Sequence, residues 1–131
     1  MPNLTDVSVI KDLCARYGFS LSKGYGQNFI INPGVCPKIV QAAGIDKSYG
    51  VLEVGPGIGV LTKELAAAAS RVAAVEVDPR LPALLAETLA DQPNVEIVQG
   101  DVLKTDLHAL IAEKFEGLPV AVCANLPYYI T

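Results

Sequence analysis

Four short stretches hold residues whose types and spacing could do chemistry. The first is "LEVGPGIGVLT", Leu52 to Thr62, which carries Gly55, Gly57 and Gly59. Glycines at such spacing let a chain turn tightly and let a ligand lie against the backbone. A dinucleotide fingerprint would need its third glycine at position 60, and Val60 stands there. The pattern is instead E-x-G-x-G-x-G, headed by Glu53. An acid before the turn is an awkward neighbour for a pyrophosphate and a fitting one for a cationic ligand. The second stretch, "AVEVDP", places Glu76 21 positions after Gly55. At that distance a strand-end carboxylate can take hydrogen bonds from both hydroxyls of a ribose. The third, "VQGDVL", offers Asp101, suited either to accept from an adenine amino group or to cap a turn. The fourth, "CANLPYYIT", follows an apolar run with an amide (Asn125), the Leu126 carbonyl, a stiff Pro127 and an aromatic Tyr128.

These residues need a scaffold that brings them to one place. "GVLEVG", "RVAAVEV", "NVEIVQ" and "LPVAVCA" are short apolar runs that read as strands. Between them, "VLTKELAAAA", "PRLPALLAETLA" and "DLHALIAEKF" read as helices, with Pro79 at N1 of the second and Pro82 still in its first turn. Strand–helix alternation of this kind predicts an α/β fold, a parallel sheet covered on both faces. Each of the four chemical stretches then begins where a strand ends, and such sheets bind ligands beyond the C-terminal ends of their strands. Ahead of the sheet, Val7, Ile10, Leu13, Cys14 and Tyr17 share one face of a helix that Thr5 would cap and Gly18 would end. A Gly-punctuated loop, "SLSKGYGQNFI", leads to a second helix starting near residue 36 and ending at Gly44. Residues 1–47 therefore read as a helical and loop segment and residues 48–131 as the sheet-bearing core.

Bulk properties narrow the class. With 51% hydrophobic and 18% charged residues the chain is built to fold. It has no apolar run long enough for a membrane span and no signal-peptide pattern at its start, so a cytoplasmic location is expected. Cys14, Cys36 and Cys123 have neither disulfide-framework nor zinc-ligand spacing, and the sequence predicts no metal site. The single histidine, His108, falls on a polar-faced helix and reads as solvated. Residues 1–47 carry five Lys/Arg against three Asp/Glu, and residues 48–131 five against eleven. An acidic core of this kind is a poor general polyanion binder.

Taken together, "GQNFI" (26–30), "LEVGPGIGVLT" (52–62), "VEVD" (75–78), "GD" (100–101) and "ANLPYYIT" (124–131) resemble the S-adenosylmethionine-dependent ribosomal RNA adenine N6-dimethyltransferases. The glycine turn is common to class I methyltransferases, whereas "GQNF" with "NLPY" selects this family, and within it the branch acting on small-subunit (16S) rRNA. The resemblance implies a Rossmann-like class I methyltransferase fold that uses S-adenosyl-L-methionine and releases S-adenosyl-L-homocysteine. It further implies that Gln27, Asn28 and Ile30 help close over the cofactor. Glu53, Gly55 and Gly57 would form the turn around its methionine part, with Gly55 approaching by its backbone. Glu76 would hold the ribose, Asp101 the adenine N6, and Asn125 would lie between cofactor and target base. Asn125 Oδ1 and the Leu126 carbonyl would accept from the target amino group and aim its lone pair at the methyl. Pro127 would stiffen that turn, and Tyr128 would stack on a base drawn out of its helix. Tyr25 reads as a packing or clamp residue beside "GQNF".

Members of that family run to about twice this length, with further strands and a helical C-terminal domain. The chain is accordingly expected to be an N-terminal fragment with strand order 3-2-1-4. It would bind cofactor without methylating RNA alone, and its fourth strand would be an open edge able to pair with a second copy. Other readings are a large-subunit (23S) rRNA methyltransferase of the macrolide-resistance type, a non-catalytic relative that keeps the fold, and an NAD-dependent oxidoreductase. The intact Asn125–Tyr128 motif argues against lost catalysis, and Val60 against NAD.

Overall fold

A computed structural model describes Leu4, residues 6–18 and residues 35–124 of the chain. The first helix, α1 (Val7–Tyr17), is capped by Asp6, whose Oδ1 accepts from the Ser8 N–H at 2.9 Å. Asp6 thus takes the role the sequence suggested for Thr5, because its carboxylate reaches an unpaired amide of the first turn and suits the positive helix end. Gly18, at φ 65°, ends the helix by donating to the Cys14 carbonyl. Ile10 and Leu13 are buried, while Val7, assigned to the same face by periodicity, is 48% exposed. The second helix, α2 (Val35–Ala43), holds Pro37 in its first turn, where no intrahelical N–H is required. Gly44 follows it at φ 68°.

The remainder alternates as β1 (Gly50–Val54), α3 (Val60–Ala68), β2 (Arg71–Glu76), α4 (Leu81–Thr88), β3 (Val95–Gln99), a 3₁₀ turn (Val102–Lys104), α5 (Leu107–Phe115) and β4 (Val120–Ala124). The four strands form one parallel sheet in the order β3-β2-β1-β4, as expected from the sequence. One helix start differs from expectation. Pro79 is not at N1 of α4 but inside a turn closed by the Leu81 N–H on the Asp78 carbonyl at 3.2 Å. Proline is favoured at the second position of such a turn, and the helix begins after it, with Pro82 in its first turn.

Successive residues of a strand face opposite ways, and both faces here are apolar. Val51 and Val72 point into a core shared with Leu13 of α1, Val40 of α2, Leu65 of α3 and Leu84 of α4. Leu52, Ala73 and Val75 point the other way, onto Leu110 and Phe115 of α5. The N-terminal helices therefore pack into the same core as one face of the sheet. On the other face the Phe115 ring lies directly over Gly50, where an added Cβ would come within 2.2 Å of Cδ1. β4 is one edge of this sheet, and Val122 on it is 62% exposed. Among the described residues no helix is long and apolar enough to cross a membrane.

Candidate functional site

Parallel pairing in register brings the strand ends level. Val54, the last residue of β1, pairs with Val75 of β2 and with Ala124 of β4, and Glu76 pairs with Gln99 of β3. Two backbone bonds extend the pairing past the strand ends: Gly55 N–H to the Val75 carbonyl at 3.0 Å, and Gly100 N–H to the Glu76 carbonyl at 2.8 Å. Gly55, Glu76 and the Gly100–Asp101 step consequently border one edge.

The turn from β1 to α3 depends on left-handed backbone, with Gly55, Gly57 and Gly59 at φ 70°, 61° and 99°. No side chain other than hydrogen adopts these angles freely. Among the described residues nothing lies within 4 Å of where a Gly57 Cβ would be, so its backbone can be approached from that side. Gly59 is crowded, its absent Cβ lying 3.1 Å from Thr88 Oγ1 and 3.3 Å from Leu85 Cδ2. The Thr88 hydroxyl, fully buried on α4, donates to the Ile58 carbonyl at 3.0 Å and fixes the far side of the turn.

Glu76 is buried, and its Oε2 accepts from the Asp78 N–H at 2.9 Å. Oε1 has no hydrogen bond among the described residues, which leaves an acceptor for a ligand hydroxyl. Asp101 realises its capping alternative on one oxygen: Oδ1 accepts from Leu103 N–H at 2.9 Å, starting the 3₁₀ turn. Its other oxygen has no hydrogen bond among the described residues, so capping and amino-group recognition are compatible.

Glu53 lies beneath the turn, only 1% exposed. Its Oε1 accepts from the hydroxyl of Thr62, on the first turn of α3. Burial drives its pKa up to about 7, against which the Thr62 hydrogen bond acts, and the nearby Glu76 charge adds to the rise. Cys36 shares this neighbourhood. Burial, with the Glu64 and Glu53 charges, pushes its thiol up to about 11. Such a thiol is an inert packing group, and none of the three cysteines is in a disulfide. His108 is exposed, as its sequence context implied.

Of the residues singled out by sequence, Glu53, Gly55, Gly57, Glu76 and Asp101 are assembled at this edge. Gln27, Asn28, Ile30, Tyr25, Asn125, Leu126, Pro127 and Tyr128 lie outside the described residues. Thr62 and Thr88 were not anticipated. Each is a lone threonine on a helix, and nothing in its local sequence signals that its hydroxyl is committed to a residue 9 or 30 positions away. A separate cavity of about 240 Å³ lies between Arg71, Asn94, Glu96, Lys114 and Phe115. It sits at the opposite, N-terminal ends of β2 and β3, away from the glycine turn, Glu76 and Asp101.

Residues 18–131 match the ribosomal RNA adenine dimethylase family. Ribosomal RNA small subunit methyltransferase A from Geobacillus thermodenitrificans is 54% identical over 122 residues, covering 92% of this chain and 42% of that protein. Among solved structures, a dimethyladenosine transferase from Plasmodium falciparum is 34% identical with a TM-score of 0.61, over 76% of this chain and 34% of that one. The 23S rRNA methyltransferase ErmE is 30% identical with a TM-score of 0.52, over 68% of this chain and 44% of that one. Two more distant methyltransferases crystallised with S-adenosyl-L-homocysteine are 17% and 18% identical, with TM-scores of 0.54 and 0.52, and share the fold alone. The chain spans less than half the length of the curated relatives it matches, 42–46% of each. Its fold is the Rossmann-like fold of class I methyltransferases. By sequence and by architecture, the chain belongs to the ribosomal RNA adenine dimethylase family.

Proposed function

We propose that this chain is the S-adenosyl-L-methionine-binding part of a protein that dimethylates N6 of adenosines in small-subunit (16S) ribosomal RNA, and that these 131 residues alone bind the cofactor without methylating RNA. The observation that carries the reading is the level edge formed by Gly55, Glu76 and Asp101, with one carboxylate oxygen of each acid uncommitted among the described residues. Identity of 54% to a small-subunit enzyme, against 30% to a 23S enzyme, favours the small-subunit substrate over the macrolide-resistance alternative.

The residues suit the cofactor. Glu76 Oε1 is an acceptor for ribose hydroxyls, and the free Asp101 oxygen is an acceptor for an adenine amino group. The open side of Gly57 admits a ligand against the backbone. Glu53 supplies a carboxylate beneath the turn to complement a cationic group. When bound, S-adenosyl-L-methionine supplies a methyl group on a sulfonium, an excellent leaving group, so no base need remove a proton before attack. The chain's task is orientation. Asn125 Oδ1 and the Leu126 carbonyl would accept from the target amino group, Pro127 would stiffen that segment, and Tyr128 would stack on the extruded base.

Calorimetric titration with S-adenosyl-L-homocysteine and, separately, NAD tests the cofactor reading. Binding of the first and not the second is expected; the reverse would overturn it. Transfer of labelled methyl to unmethylated small subunits by a protein that carries this chain at the full length of its curated relatives, with N6,N6-dimethyladenosine identified in the digest, tests the substrate, and robust transfer by these 131 residues alone would overturn the fragment reading. Asn125→Ala should abolish that transfer while leaving homocysteine-product binding in place.

A further inference from the structure

Beyond the groups that would touch the cofactor, a chain of hydrogen bonds runs outward from Glu76. Its Oε2 is held by the Asp78 N–H at 2.9 Å. The Asp78 carboxylate is held in turn by Arg80, through the Arg80 amide (2.9 Å) and Nε (3.0 Å) on Oδ1 and Nη2 on Oδ2 (2.6 Å). The guanidinium has a further contact: Nη1 donates to the carbonyl of Gly18, the C-cap of α1, at 2.9 Å. One side chain therefore links the end of α1 to the turn that sets the direction of Glu76. The fork geometry matters, since a guanidinium presents several donors in fixed directions at once and an ammonium does not.

We propose that Arg80 is a positioning residue for Glu76, bracing the Asp78–Leu81 turn between the Glu76 carboxylate and the end of α1 so that Glu76 Oε1 is aimed at a ribose hydroxyl. The inference rests on the cofactor reading above. The pairing is felt on both sides, since the Arg80 hydrogen bonds hold the Asp78 carboxyl below the usual carboxylate range. Holding α1 in place is not the work of Arg80 alone. Arg16 makes a two-pronged pair with Glu87 of α4 (2.7 and 2.6 Å), and the Tyr17 hydroxyl donates to the same Glu87 at 2.6 Å. Removing Arg80 thus leaves α1 fastened to α4, and the loss should appear in ligand recognition before it appears in folding.

The test compares S-adenosyl-L-homocysteine with its 2′-deoxyribosyl counterpart, titrated calorimetrically into the wild-type chain and into Arg80→Ala, Arg80→Lys and Glu87→Gln. Wild type should prefer the ribosyl ligand by about tenfold, the worth of a hydrogen bond to a charged acceptor. Arg80→Ala should shrink that preference about threefold or more, chiefly by weakening the ribosyl ligand. Arg80→Lys should fall between, because it keeps the charge without the fork. Glu87→Gln should lower the melting temperature and leave the preference as in wild type. An unchanged preference in Arg80→Ala, or an equal loss in Glu87→Gln, would overturn the positioning role. Failure of wild type to bind S-adenosyl-L-homocysteine would overturn the cofactor reading itself and this inference with it.

Discussion

Glu53 allows a quantitative test of how the site's charge is held. It is 1% exposed, and burial raises its pKa to about 7 from 4.5. A folded-state pKa above the unfolded one means the folded chain binds more protons between the two values, so stability falls as pH rises through that window. The stabilisation is fully present below the unfolded pKa and is lost as pH passes about 7. At about 1.4 kcal/mol per unit, the whole span is about 3 kcal/mol, of which about 2 kcal/mol falls between about pH 5.5 and pH 8. Glu53→Gln removes the titration while keeping an oxygen for the Thr62 hydroxyl. Urea unfolding of both proteins across this range should show wild type losing about 2 kcal/mol relative to the variant as pH rises. Taking the difference cancels other groups that titrate alike in both, and burial and the Glu53 charge hold the Cys36 thiol up at about 11 and raise the Cys123 thiol, which keeps them protonated over this range. Parallel stability curves for the two proteins would refute the assignment of a neutral, burial-shifted Glu53 below neutral pH. Thr62→Val sharpens the test. The hydroxyl serves the ionised carboxylate best, so its removal should cost more at about pH 8 than at about pH 5.5, within a range of roughly 1–3 kcal/mol. A pH-independent cost would argue against it.

Other substitutions probe the scaffold and the edge separately. Gly59→Ala forces a side chain into φ 99° and against Thr88, and should cost about 2–4 kcal/mol by denaturant titration. Thr88→Val keeps the volume but strips the Ile58 carbonyl of its buried donor, with an expected cost of about 1–3 kcal/mol. Gly50→Ala drives a methyl into the Phe115 ring and should destabilise by about 1–3 kcal/mol, and Gly50→Ala/Phe115→Leu should recover part of that loss. Glu76→Gln should leave the melting temperature near wild type and weaken S-adenosyl-L-homocysteine about tenfold or more, as measured by calorimetry.

The parts of this fold that were legible in the sequence are those with a local cause. The shared edge was legible through the motifs, since each of the four chemical stretches sits just after an apolar β-branched run and a parallel sheet collects such positions at one edge, whereas the strand order was implied by the family resemblance. Gly18 and Gly44 marked helix ends because a left-handed residue there strongly favours glycine. Where two local causes compete, sequence alone does not choose. Pro79 suits N1 of a helix and the second position of a turn equally. The outcome is set by the Asp78 carboxylate taking the Arg80 N–H and stabilising the turn. Thr5 and Asp6 are both good caps, and the contact of Asp6 with Ser8 decides between them. The contacts of Thr62 with Glu53, Thr88 with Ile58 and Arg80 with Gly18 were not legible because each joins residues of different elements, 9, 30 and 62 positions apart.

The three acids of the site show why residue type alone underdetermines role. Glu76 and Asp101 lie at strand ends, each with one oxygen on a backbone N–H from the following turn, two residues on. Backbone donors of this kind hold a carboxylate in direction and leave its second oxygen available, which suits recognition of neutral hydroxyl and amino groups. Glu53 is one residue inside its strand, so it enters the core instead of the rim, and its donor is the hydroxyl of a neighbouring helix. With almost no access to water it takes up a proton near neutrality. In register Glu53 lies level with Ala74, two positions short of Glu76, and that offset separates a rim acceptor from a buried, titrating acid. The glycine turn makes that difference consequential, because it lets a ligand approach the backbone close above Glu53. A cation arriving there would draw the proton off, and binding would then release protons at neutral pH. Calorimetry of S-adenosyl-L-homocysteine binding in two buffers of different ionisation enthalpy should report that release in wild type and lose it in Glu53→Gln. Buffer-independent enthalpies in wild type would place the ligand's cationic group away from Glu53.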